Sequence, residues 1–117
     1  MDKTRMVTQF GMGTSIRSRD YTEAAARAIR DALWHHSLNV ADAFGFPKEA
    51  MLIDAEIGVQ DPAAVDPAAL LGIFPYGQPS VRLVKGGLDV TQPDGSGTTV
   101  IANAAVIVSF DMERHHD

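Results

Sequence analysis

The chain has 117 residues, enough for one domain over 1–117 but not for two independent cores. Its 45% hydrophobic and 21% charged residues are the balance of an ordinary globular protein, and a formal net charge of −5 without a basic run argues against nucleic acid or an anionic membrane as partner. Cysteine is absent, which excludes disulfides, thiol catalysis and thiolate metal sites. No apolar run is long enough to span a bilayer, and the opening MDKTRM lacks the hydrophobic segment of a signal peptide, so the expected location is cytoplasmic.

Residues 6–13 read as a first strand, with Met6, Thr8, Phe10 and Met12 alternating against Val7, Gln9 and Gly11. Gly11 and Gly13 have no Cβ and suit a close approach of another backbone. A phosphate-cradling loop is the other use of such glycines. Ile16 stands where the dinucleotide fingerprint needs its third glycine, so packing is the expectation and no cofactor is called for. Thr14 to Arg19 then connects to a helix. Asp20 and Glu23 have the spacing of a capping box, and strong helix formers continue to Leu38. Ala25, Ala28, Ile29, Ala32, Leu33 and His36 make its apolar stripe, while Arg27, Arg30 and Asp31 face water. Small alanines would let this helix lie close on a sheet. His35 and His36 sit about 100° apart on a helix, so they cannot clamp one metal from this element, but they suit the negative helix end. His36 is a candidate donor or base at a subunit junction.

After a connector over 39–49 comes the strand around which the chain is organised, Met51 to Val59. Met51, Ile53, Ala55, Ile57 and Val59 fall on one side, and Leu52, Asp54, Glu56 and Gly58 on the other. Asp61-Pro62 and Asp66-Pro67 each look like an N-cap followed by proline at the first helical position, and the second starts a short helix ending near Gly72. Pro75-Tyr76-Gly77 reads as a tight turn with Tyr76 as a candidate ligand contact. A third strand covers 80–91, with a bulge or bend at Gly86-Gly87, and 92–98 forms a turn. The last strand, 99–110, is apolar on both faces and belongs in the middle of the sheet. Asn103 lies within it and, if buried, needs partners or a polar cavity.

The order β-α-β-α-β-β predicts an α+β fold, a four-stranded mixed sheet with helices on one face. The bare face carries Asp54 and Glu56, roughly 7 Å apart at the usual strand rise. Two like charges that close must be wet, paired or partly protonated. Leu52 shares their face, which suggests cover by another copy of the chain and a polar pocket between subunits.

The segments GMGTSIRSRDYTEAAARAIRDALWHHSL, EIGV, IFPYG, GGL and IANAAV together resemble a family of uncharacterised bacterial proteins of about this length. The resemblance implies a small soluble oligomer with no assigned activity. The element order also resembles the repeat unit of trimeric chorismate mutase and of the ring-opening amidohydrolases, cyanuric acid hydrolase and barbiturase, whose ligands bind where three units meet. The amidohydrolases use Ser–Lys pairs near the ends of the first two strands. Gly11-Met12-Gly13 and Ala55-Glu56-Ile57 stand in the corresponding places, so the nucleophile and its base are absent.

The expectation is therefore a chorismate-mutase-like, trimer-based homo-oligomer that binds a small polar molecule at subunit junctions. Glu56 and Asp54 would act as acceptors or as a general base, with Arg82 or Lys85 gripping an anionic group and Asn103, His36 and Tyr76 completing the site. Two alternatives follow from the same residues. One is a non-catalytic sensor or scaffold whose acids pair with arginine across an interface. The other is a metal enzyme built from Asp54, Glu56 and a neighbour's His36, although no metal site is complete in the sequence itself.

Overall fold

The alternating stretches form strands and the 3.6-residue stripe forms a helix. In the computed structural model, residues 3–16, 19–33, 45, 47–74 and 77–111 are described. Among them the order is β1 (Lys3–Ser15), α1 (Tyr21–Leu33), β2 (Leu52–Val59), α2 (Pro67–Leu71), β3 (Gln78–Lys85), β4 (Leu88–Thr91) and β5 (Thr98–Asp111). Short 3-10 turns occupy Lys48–Ala50 and Pro62–Ala64. The sheet runs β1-β5-β2-β3, with β4 also paired to β5. Only β2 and β3 run parallel among these pairs; β1, β2 and β4 are each antiparallel to β5. The fold is mixed α+β, and β5 is central, as its apolar character on both faces requires.

The sheet has five strands rather than the four expected, because the stretch over 80–91 breaks in two. β2 pairs with β5 from Ser109 to Asn103 and then ends, and β4 takes the vacated lane beside Thr98–Ile101. To change lanes the chain crosses over the end of β2 at Gly86-Gly87. A Cβ on Gly58 would lie 3.2 Å from the Gly86 Cα, and one on Gly87 would lie 2.1 Å from the Ile101 carbonyl oxygen. The Gln60 side-chain amide donates to the carbonyls of Gly86 and Gly87 at 3.0 and 3.2 Å, which pins the crossing.

One face of the sheet holds the core. Ile53, Ala55, Ile57 and Val59 of β2 and Val100, Ala102, Ala104, Val106, Val108 and Phe110 of β5 are buried against α1 and Leu70 of α2. The helix stripe is Tyr21, Ala24, Ala25, Ala28, Ile29 and Ala32. Its alanines meet the glycines of β1: a Cβ on Gly11 would come within 2.2 Å of the Ala28 oxygen, and one on Gly13 within 2.3 Å of the Ala24 oxygen. The close-packing role expected of these glycines is thus their role. Asp20 caps α1 by accepting from the Glu23 amide at 3.0 Å, but the reciprocal half of the capping box is absent. The Asp20 amide donates to Ser15 Oγ instead, and the Glu23 carboxylate turns to Arg27 at 2.6 Å. Asp66 caps α2 as expected, accepting from Ala68.

The polar side of α1 also guards the outer edge of β1. The Met12 amide donates to Asp31 Oδ2 at 2.9 Å, and Arg27 donates to the Thr14 carbonyl at 2.7 Å. Each bond satisfies a backbone group that would otherwise invite another strand.

A second tie joins α1 to β4. The buried Tyr21 hydroxyl donates to Asp89 Oδ2, while Arg19 donates to Thr98 Oγ1 beside it. The bond to Asp89 is the main reason the Tyr21 hydroxyl is held above its ordinary pKa of 10.0, and burial adds to it. Because the folded value is raised, the stabilisation is complete below pH 10 and is lost as pH rises through the folded value. Tyr21→Phe leaves a carboxylate without its donor and is expected to destabilise the fold by about 2 kcal/mol at neutral pH. In thermal unfolding, the gap between wild type and variant should narrow above pH 10; a constant gap across that range would contradict the assignment.

Candidate functional site

Because α1 and α2 both lie on the core side, no described helix covers the other face of the sheet. Register lays it out in rows across the strands. One row is Thr8, Ile107, Asp54 and Ser80; the next is Phe10, Ala105, Glu56 and Arg82; the third is Met12, Asn103, Gly58 and Val84. On the expected bare side of β2, Glu56 is exposed and Leu52 and Asp54 are half-buried, whereas Gly58 is buried beneath the Gly86-Gly87 crossing.

The two halves of this face differ in chemistry. On β1 and β4, Phe10 is 69% exposed, Met12 56% and Leu88 54%, with Val90 exposed beside them. On β2 and β3 the face is polar and slightly hollow. Asp54, Ala55, Glu56, Ser80, Arg82 and Ile107 line an open recess of about 240 Å³. Ser80 Oγ donates to Asp54 Oδ1 at 2.7 Å, which orients that carboxylate. Glu56 and Arg82 are register partners with their Cα atoms about 4.8 Å apart, the usual strand spacing. Both are exposed, and among the described residues neither enters an ion pair.

Of the seven residues singled out in the sequence, Asp54, Glu56 and Arg82 meet in this recess. Lys85 does not. It pairs with Val59, whose side chain is buried on the core side, so register turns Lys85 away from the recess at the exposed end of β3. Asn103 is exposed rather than buried, on the sheet face opposite α1. It sits one row from Glu56 and outside the recess lining. His36 and Tyr76 lie outside the described residues. Ser80 and Ile107 were not foreseen, since only the pairing of Asp54 with both strands reveals them.

The recess offers two carboxylates, a guanidinium and a hydroxyl against one aliphatic side chain. Such a set can hold both an anionic and a cationic group by hydrogen-bonded charge contacts. No group of three or more His, Cys, Asp or Glu side chains placed to hold a metal occurs among the described residues. No described helix is long and apolar enough to cross a membrane.

Comparison with known proteins places this architecture in a wider set. The chain is similar to an FtsZ-like protein of unknown function from Nostoc punctiforme PCC 73102, known from a crystal structure at 1.22 Å resolution. The match has a TM-score of 0.83 and 29% identity, and covers 94% of this chain and 98% of that one. No curated protein matches. The model of a conserved hypothetical protein family, Lin0512_fam, matches residues 5–108, which span β1 through most of β5 and so include the whole recess. On that match the chain belongs to the Lin0512_fam family of conserved hypothetical proteins.

Proposed function

We propose that this protein is a homo-oligomer that binds a small polar molecule in the recess of Asp54, Glu56, Ser80 and Arg82, with a second copy closing over the bare face. The observation that carries the reading is that the exposed Phe10 and Met12 share one sheet face with that recess, Phe10 in the row of Glu56. Exposed apolar side chains beside a polar hollow are the pattern of a face that another surface covers. The assembly in this reading is trimer-based, with sites at the junctions. Glu56 would be the proton-transfer group once a neighbour excludes water from it.

A second reading, a sensor or scaffold without chemistry, is favoured by one observation: Glu56 is exposed in the single chain, so nothing described encloses it for catalysis. Sedimentation velocity tests the shared part. The wild type should run at a multiple of 12.6 kDa at micromolar concentration. Phe10→Asp should run as a folded monomer with an unchanged far-ultraviolet spectrum. A wild-type protein that stays monomeric under these conditions would remove the interface.

A further inference from the structure

Resting on that recess as a binding site, we infer that its ligand is a small zwitterion of the α-amino acid type bearing a short apolar substituent. Three observations lead there. First, Glu56 and Arg82 stand side by side with opposite charges and without an ion-pair partner among the described residues. No ion pair between them has to be broken when a ligand offers each head a partner, and an exposed pair would be worth little in water. Second, singly charged molecules suit the recess poorly. An anion would take Arg82 but face the Glu56 carboxylate beside it, and a cation would take Glu56 but face Arg82. A molecule carrying both charged groups on one carbon meets both needs, with its carboxylate on the Arg82 fork and its ammonium toward Glu56. Third, Ile107 forms the β5 wall in the row of Asp54, with Ala105 in the row of Glu56. These aliphatic groups would receive the substituent, and a hollow of about 240 Å³ limits its size.

The experiment compares L-valine with its two singly charged relatives, isobutylamine and isovalerate, by amide-resolved NMR titration of the full chain. Valine is expected to move the signals of Asp54 to Gly58 and Ser80 to Val84, and each relative to bind at least tenfold more weakly. Glu56→Gln should weaken valine and isobutylamine and strengthen isovalerate, which no longer faces that carboxylate. Arg82→Gln should weaken valine and isovalerate and strengthen isobutylamine, which no longer faces that guanidinium. If either relative binds as well as valine at those signals, the zwitterion is wrong while the recess stands. If none of the three moves them, both the zwitterion and the recess as its site fall. Should a variant fail to give a dispersed spectrum, the wild-type comparison of the three probes still decides.

Discussion

Replacing Gly13 with alanine is expected to destabilise the fold by more than about 3 kcal/mol, the upper end of what an extra methyl costs in a packed interior. The reason is what the methyl meets. An ideal Cβ on Gly13 lies 2.3 Å from both the Ala24 oxygen and the Ala28 nitrogen, and one on Gly11 lies 2.2 Å from the Ala28 oxygen and 2.4 Å from the Ala32 nitrogen. These are main-chain atoms of α1 and cannot rotate aside like the end of a side chain. The helix would have to lift from β1 as a body, which would loosen Ala24, Ala28 and Ala32 together. It would also stretch the bonds from Asp31 to Met12 and from Arg27 to Thr14. Thermal unfolding should show a midpoint lower by roughly 10–20 °C for a domain of this size. Amide exchange should rise along β1 before it rises in β2. A Gly13→Ala protein within a degree or two of wild type would mean that the helix does not sit this close.

Gly87→Ala should be comparably severe for two reasons that add. The residue has φ +65°, a conformation that disfavours a side chain by about 1–2 kcal/mol. Its Cβ would also lie 2.1 Å from the Ile101 oxygen and 3.0 Å from the Gly58 oxygen. The lane change between β3 and β4 would give way first, freeing β4 from β5. Loss of β4 removes Asp89 from Tyr21 and takes Leu88 and Val90 from the bare face. The expected result is a drop of more than about 3 kcal/mol in denaturant unfolding. The Tyr21 hydroxyl should then titrate near 10.0, its ordinary value. Gly95, at φ +75° with open space where a Cβ would stand, is the control. Alanine there should show the backbone part alone, a loss of about 1–2 kcal/mol. Equal losses at the two glycines would rule out the crossing as the reason.

Local chemistry in the chain determined most of the elements. The alternation of Ile53, Ala55, Ile57 and Val59 against Leu52, Asp54, Glu56 and Gly58 specified both the β2 strand and its buried side, because side-chain direction in a strand has a period of two. Asp20 and Asp66 placed the helix starts, since capping acts within three residues. The paired acids and the arginine of the recess were legible too. Only the tertiary structure decided which residues become neighbours across strands. That Ser80 reaches Asp54, that Arg82 lies beside Glu56 and that Lys85 turns away all follow from register, a long-range property that no local pattern encodes. The division of the 80–91 stretch came from the same level: β2 runs out at Val59, and β5 still has Thr98 to Ile101 unpaired along that edge. A strand edge left without hydrogen bonds must be satisfied, and Gly86-Gly87 is the one point where the chain can step across to do so.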